Sequence, residues 1–121
     1  MYKVKVRSDF SSAHNLRGYK GKCEELHGHN WHVEIEAGSD ELNATGMVLD
    51  FSELRKILNG ILAELDHKYL NEIEYFKNIN PTSENIAKYI FDKVSGEKPG
   101  LKLVQVTVWE TSSSAATYIP E

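Results

Sequence analysis

Apolar and polar side chains alternate along two stretches near the start of the chain, at residues 2–14 and 27–37. This period of two is typical of a strand that buries one face. A third stretch, 101–110, has apolar residues at both parities, which favours a strand inside a sheet. A short last strand is expected at 115–119, after a turn.

Two further stretches have apolar residues at three- and four-residue spacing, as in an amphipathic helix. Asp50 is a good N-cap for the first helix, either Thr82 or Ser83 caps the second, and Gly96 is expected to end it. The apolar positions of the two helices are Phe51, Leu54, Ile57, Leu58, Ile61, Leu62 and Leu65, followed by Ile86, Ala87, Ile90, Phe91 and Val94.

The predicted order is strand, strand, helix, helix, strand, strand. This order indicates an α+β fold, a four-stranded antiparallel sheet with both helices on one face. A chain of 121 residues is long enough for one domain, expected to span 1–121. The sheet would have open edges, and open edges invite pairing with another copy of the chain.

Composition excludes several classes of protein. The net charge of −4 comes without a basic cluster, which argues against nucleic acid as a partner. The chain has one cysteine and so cannot form an internal disulfide, which is compatible with a reducing cytoplasm. It shows neither a secretion signal nor an apolar run of membrane-spanning length, so we expect a cytoplasmic protein with no membrane contact.

Three histidines fall where strand phase can bring them together. His27 and His29 are two apart and project from one face of a strand, and His14 has the inward phase of the preceding strand. A bulge in the Ser-Ser-Ala run before His14 would reverse that phase. His32 has the opposite, polar phase and is interpreted as structural. Three imidazoles and one open position are typical of a catalytic zinc site.

Other residues leave alternatives open. Cys23 precedes the first of these ligands by four residues and could act as a thiolate base or as a fourth ligand that closes a structural site. Iron, nickel or copper would also accept imidazole ligands. Arg17, Lys20 and Lys22 in the loop 15–22 could meet a phosphate or be solvated. Glu110 is a carboxylate in phase with the valines of its strand.

Several motifs extend these observations over nearly the whole chain. They are CEELHGHN at 23–30, the upstream His14, GMVLDF at 46–51, LDHKYLN at 65–71, NPTSEN at 80–85 and WET at 109–111. Together they resemble the 6-pyruvoyl-tetrahydropterin synthase family. The short length and the CxxxHGH spacing are most similar to its 6-carboxy-tetrahydropterin synthases of the queuosine pathway.

The resemblance implies the tunnelling fold, in which three subunits join their sheets into a barrel. Two such trimers commonly stack, and the active sites lie at subunit interfaces. The expected protein is therefore a homo-oligomer, a trimer or a dimer of trimers.

The resemblance also implies residue roles. Zinc would be held by His14, His27 and His29, with Cys23 as the catalytic base, Asp66 and His67 as a proton relay, Glu110 as the anchor of the pterin, and Thr82 and Ser83 as further hydrogen-bond partners. A carboxylate suits the anchor role because it can accept two parallel hydrogen bonds from the 2-amino group and ring N–H of a pterin.

The implied reaction converts 7,8-dihydroneopterin triphosphate to 6-carboxy-5,6,7,8-tetrahydropterin with release of acetaldehyde and triphosphate. Glu24 gives the sequence CExxHGH, which resembles family members that cleave dihydroneopterin to 6-hydroxymethyl-dihydropterin for folate synthesis. This cleavage and 6-pyruvoyl-tetrahydropterin synthase activity are the alternatives, unless Glu24 is an exposed loop charge. A pterin- or purine-binding module without turnover is another class, disfavoured by the presence of Cys23 and of the Asp66–His67 pair.

Overall fold

The computed structural model describes residues 1–19, 21 and 24–121, and within them the predicted order of elements is confirmed. The strands are β1 Tyr2–His14, β2 His27–Ser39, β3 Leu103–Thr111 and β4 Ser114–Tyr118, and the helices are α1 Phe51–Leu62 and α2 Ser83–Glu97. Two short 3₁₀ turns, Leu70–Glu72 and Glu74–Phe76, lie between the helices. The strands form one antiparallel sheet in the order β1-β2-β3-β4, so β3 is interior as predicted.

The two long strands are paired over their whole length. The register runs without interruption from Tyr2 opposite Ser39 to His14 opposite His27, and Ser12 lies opposite His29. Because no residue is inserted before His14, its side chain keeps the inward phase that the alternation predicted. The strand pairing thus brings the three histidines to one end of the sheet.

Both helices cover the same face of the sheet, and the core lies between them and the inward residues of the strands. Leu65 is fully buried as predicted, whereas Phe51 is half exposed at the first turn of α1. The register of β2 with β3 shifts between Glu36 and Ala37. The shift brings Leu103 into the core in place of the neighbouring valine, so the predicted parity holds only for the later part of β3.

The helix starts follow the predicted caps. Asp50 accepts a hydrogen bond from the backbone N–H of Ser52 at 2.8 Å, and the Thr82 hydroxyl accepts one from the N–H of Asn85 at 3.1 Å. The predicted end of α2 is wrong by a residue, because the helix continues through Gly96 to Glu97. None of the described helices is both long and apolar enough to cross a membrane.

The segment that follows α1 lies along the outer edge of β1. The backbone N–H of His67 donates to the carbonyl oxygen of Ser11 at 2.6 Å, and the N–H of Ala13 donates to the carbonyl oxygen of Lys68 at 3.0 Å. Ala13 also forms a parallel bridge with Tyr69. The end of β1 that carries His14 is therefore held on both sides.

Candidate metal centre

The predicted imidazoles meet at the end of the β1–β2 pair. The ring centroid of His14 lies 4.5 Å from that of His27 and 5.3 Å from that of His29, and the latter two are 4.8 Å apart. Trp31, which is fully buried, packs edge-on against His14 and His29 at 4.8 and 5.2 Å. The indole ring provides an apolar surface that restricts the orientation of the His14 and His29 rings. His32 is exposed on the other face of the sheet and lies outside the cluster, as predicted.

A carboxylate completes the cluster. Oε1 of Glu110 lies 3.2 Å from Nε2 of His14 and 3.3 Å from Nε2 of His29. The cluster consists of His14, His27, His29 and Glu110, each of which offers one potential ligand atom. These four atoms all lie within 4.8 Å of one another. The four residues could therefore hold one metal ion.

Backbone carbonyls set which ring nitrogen faces the cluster. Nδ1 of His14 lies 2.8 Å from the carbonyl oxygen of Pro81, and Nδ1 of His27 lies 2.7 Å from that of Glu25. A carbonyl only accepts, so both Nδ1 atoms carry the proton and each Nε2 presents a lone pair. Such an outer partner is what fixes the tautomer of a metal-binding histidine.

Burial favours the neutral form of the His14 and His29 rings. Desolvation lowers the pKa of His14, whose side chain is 1% exposed, and burial likewise lowers the pKa of His29. The bond from His14 to Pro81 and the charge of Glu110 oppose this shift only in part. A neutral imidazole is the form that binds metal.

The donor set fits a cation. Nε2 of His14 and Nε2 of His29 are buried and make no hydrogen bond with any described residue, although both face the Glu110 carboxylate. Lone pairs that converge in this way repel unless a positive charge lies among them. Tetrahedral zinc with bonds of about 2.0 Å has ligand atoms about 3.3 Å apart, which the two distances to Oε1 match.

Asn80, which precedes Pro81, holds the backbone at this end of the site through two hydrogen bonds. Oδ1 of Asn80 accepts from the backbone N–H of Arg17 at 2.9 Å, and Nδ2 of Asn80 donates to the carbonyl oxygen of Arg17 at 2.9 Å. The Arg17 guanidinium donates in turn to the carbonyl oxygens of Phe76 and Asn71 at 2.7 and 3.2 Å. Arg17, which the sequence suggested as a phosphate partner, is therefore engaged with the backbone of the loop before α2.

A second asparagine repeats the arrangement. Oδ1 of Asn71 accepts from the N–H of Asn15 at 3.0 Å, and Nδ2 of Asn71 donates to the carbonyl oxygen of Asn15 at 2.9 Å. The Tyr69 hydroxyl donates to Oδ1 of Asn15 at 2.6 Å. Sequence reasoning missed the structural role of both asparagines. The signal that could have found them is their place in the motifs LDHKYLN and NPTSEN.

Asp66 and His67 form a pair on the outer edge of β1. Nδ1 of His67 lies 2.9 Å from Oδ2 of Asp66, whose other oxygen accepts from the N–H of Ser11 at 2.8 Å. That backbone bond is the main reason why the pKa of Asp66 is lowered. His67 has a positive φ of 55° and a side chain 83% exposed. The pair is not part of the four-residue cluster.

The remaining predicted residues surround the cluster less closely. Thr82 and Ser83 are half-buried at the start of α2, directly after Pro81. Glu24 is exposed, and its carbonyl oxygen accepts from Nδ2 of Asn15 at 3.2 Å. Cys23, Lys20 and Lys22 lie outside the described residues.

Comparison with known proteins assigns the chain to a family of enzymes. The family described as 6-pyruvoyl tetrahydropterin synthase matches residues 3–121. The chain therefore belongs to that family, and the resemblance seen in the sequence is confirmed. Its members include enzymes with more than one named activity, as the relatives below show.

Two curated relatives and one solved structure illustrate the range. The chain is 40% identical to a 6-carboxy-5,6,7,8-tetrahydropterin synthase of Synechocystis, covering 98% of this chain and 93% of the relative. It is 36% identical to a dihydroneopterin monophosphate aldolase of Pyrococcus furiosus, covering 89% of each. The 6-pyruvoyl tetrahydropterin synthase structure from Caenorhabditis elegans aligns with a TM-score of 0.89 at 31% identity, covering 99% of this chain and 96% of that one. The tunnelling-fold subunit predicted from the sequence is therefore confirmed.

Proposed function

We propose that the protein is a zinc-dependent lyase that converts 7,8-dihydroneopterin triphosphate to 6-carboxy-5,6,7,8-tetrahydropterin, with release of acetaldehyde and triphosphate. The observation that carries the proposal is the convergence of His14, His27 and His29 with Glu110 in a family of pterin synthases. Two relatives named 6-carboxy-5,6,7,8-tetrahydropterin synthase, which match 98% and 83% of the chain, support it. The product would serve queuosine synthesis in the cytoplasm.

In this proposal the three imidazoles would hold the ion with their Nε2 atoms. Bound zinc would supply Lewis-acid polarisation next to the substrate C–H that must lose its proton. Glu110 would accept the 2-amino and ring N–H donors of the pterin, with Thr82 and Ser83 adding hydrogen bonds. Cys23 is proposed as the base, as its thiolate would be favoured close to a cation.

Asp66 and His67 are proposed to relay protons. The Asp66 carboxylate contacts Nδ1 of His67, so the ring can carry a proton at Nε2 and offer it. The exposure of His67 supports an action at an interface, since a neighbouring subunit can reach a side chain on the edge of β1. The proposed assembly is a homo-oligomer in multiples of three, which native mass spectrometry would detect.

The aldolase relative favours a second candidate function. Its name describes cleavage of a phosphorylated dihydroneopterin, and Glu24 in CExxHGH is the residue that would support such cleavage here. The products would be 6-hydroxymethyl-dihydropterin and a two-carbon aldehyde. A 6-pyruvoyl-tetrahydropterin synthase reaction is the third possibility and would retain the side-chain carbons.

Products separate these functions in one experiment. The zinc-loaded protein is incubated with dihydroneopterin triphosphate, dihydroneopterin monophosphate and dihydroneopterin, and the products are identified by mass spectrometry. We expect 6-carboxy-tetrahydropterin from the triphosphate. If the 6-hydroxymethyl compound is the main product, the second function is correct, and if no pterin is altered, the protein is a binding module.

The ligand assignment has a matched control on the same strand. Replacing His27 or His29 by alanine is expected to remove stoichiometric zinc and to abolish turnover with the fold retained, because both side chains lie at the end of the sheet and outside the apolar core. His32→Ala removes an imidazole from the opposite face and should keep both zinc and turnover. If the two ligand variants keep zinc, the assignment is wrong.

A further inference from the structure

Ser12 places a buried hydroxyl in the row of inward side chains that ends at the metal cluster. Its side chain is 7% exposed, and on β1 it lies between Phe10 and His14. Across the strand pair it lies opposite His29. Its carbonyl oxygen accepts a hydrogen bond at 3.2 Å from Nε1 of Trp31, the indole that packs against two of the imidazoles. A hydroxyl in such surroundings needs hydrogen-bond partners, and its partners indicate its role.

The partners of this hydroxyl lie on either side of the Asp66–His67 pair. Oγ of Ser12 donates to the carbonyl oxygen of Leu65, the residue before the pair. It accepts from the backbone N–H of Lys68, the residue after the pair, at 3.2 Å. The one proton of the hydroxyl is therefore in use, and a single side chain binds the turn 65–68 at both ends.

The turn 65–68 has a backbone conformation that needs such support. His67 has a φ of 55°, in the left-handed region that residues with a side chain rarely adopt. Conformations of this kind persist where the surrounding structure fixes them. The backbone of Ser11 supplies two further bonds, because its carbonyl oxygen accepts from the N–H of His67 and its N–H donates to Oδ1 of Asp66. Both require the turn to lie against β1.

We propose that Ser12 is a positioning residue for the Asp66–His67 pair. Its hydroxyl holds the turn 65–68 against the strand that carries the metal ligand His14, so that the Asp66 carboxylate stays on the N–H of Ser11 and the His67 ring keeps its place at the strand edge. The hold on the turn stands on the hydrogen bonds alone. Its effect on turnover rests on the proposed function, in which the pair relays protons.

The hold on the turn is tested without substrate, by NMR of the protein with its metal bound. Ser12→Ala should move the amide resonance of Ser11 towards its position in Asp66→Ala, which lacks the carboxylate. Ser12→Thr keeps the hydroxyl and should leave the resonance in place. Ser8→Ala is the matched control, because Ser8 lies on the same strand and its hydroxyl donates to Oδ1 of Asn59 in α1 at 2.5 Å.

This measurement separates position from stability. The resonances of the folded protein report where the turn lies, and a general loss of stability does not move them. Circular dichroism checks that each variant is folded. If Ser12→Ala is not folded, Ser12→Val is compared with Ser12→Thr, since the two side chains have the same shape and differ in the hydroxyl.

The effect on turnover is tested with dihydroneopterin triphosphate. Ser12→Ala should lower kcat by about tenfold, because the pair is displaced but not removed, and removal of a positioned acid or base costs about 10²-fold or more. Zinc content and KM should stay unchanged, since the hydroxyl is not part of the four-residue cluster. Ser12→Thr should restore kcat, and Ser8→Ala should keep it.

Each outcome decides a different point. If the Ser11 resonance does not move in Ser12→Ala, or if Ser12→Thr does not restore it, the hydroxyl does not hold the turn and the inference is wrong. If the resonance moves and kcat is unchanged, the part of the inference that concerns turnover is wrong. If the unmodified protein alters no pterin, the proposed function fails, while the NMR experiment still decides whether Ser12 holds the turn.

Discussion

Replacing Asn80 with alanine should weaken both the fold and the metal site, because its side chain joins the end of β1 to the start of α2. The change removes two hydrogen bonds to the backbone of Arg17, each 2.9 Å long. A typical hydrogen bond contributes about 1 kcal/mol net. Water can partly replace the lost partners at this half-buried position, so we expect the free energy of unfolding to fall by about 1 to 2 kcal/mol.

The effect on the metal passes through the next residue. Pro81 follows Asn80 directly, and its carbonyl oxygen lies 2.8 Å from Nδ1 of His14. Without the Asn80 side chain, the carbonyl group of Pro81 is no longer held in position. Nδ1 of His14 then loses its hydrogen-bond partner. Loss of such a partner typically costs about 10- to 100-fold in metal affinity.

Two measurements check this expectation. Urea unfolding of the metal-free protein gives the loss of stability, and competition with a chromophoric chelator gives the zinc affinity. Asn78→Ala is the control, since Asn78 is an exposed asparagine in the same loop and should change neither value. If Asn80→Ala keeps the zinc affinity of the Asn78 variant, the proposed control of His14 through Pro81 is refuted.

Two further predictions concern the catalytic base and pH. Cys23→Ala should keep zinc and pterin binding and lower the rate of the chemical step by about 10²-fold, as single-turnover kinetics would show. Loss of zinc from this variant would instead identify Cys23 as a metal ligand. In the metal-free protein, burial lowers the pKa of His14 and of His29. The unfolded chain therefore binds more protons below about pH 6.5 than the folded chain does, and the free energy of unfolding should decrease as pH falls from that value. Urea midpoints measured in chelator between pH 7 and pH 5 test this, and a flat profile contradicts it.

Much of the site could be predicted from strand phase. His14, His27 and His29 have the parity of the apolar residues, and a strand with a period of two leaves little freedom in where such side chains point. The fold followed from the same periodicity, together with the caps Asp50 and Thr82. Periodicity is local information, and it was sufficient wherever the backbone stayed regular.

Long-range polar contacts and irregular backbone could not be predicted in this way. The reciprocal bonds of Asn71 and Asn80 join residues 56 and 63 positions apart, and asparagine in a loop has many possible partners. The register shift of β3 against β4 between Trp109 and Thr111, and that of β3 against β2 between Leu103 and Gln105, each depend on how neighbouring strands fit together. For the same reason the sequence indicated an inward carboxylate at Glu110 but not its contact with two imidazoles.

The pairing of β1 with β2 has a consequence for the order in which the site forms. All three imidazoles lie within the first 29 residues, on two strands that pair with each other, whereas Glu110 arrives only with β3. Contacts that are closer in sequence form at a lower entropic cost. A chain leaving the ribosome therefore contains the whole histidine set long before the carboxylate is made, and its first encounter with metal can come while most of the core is still missing.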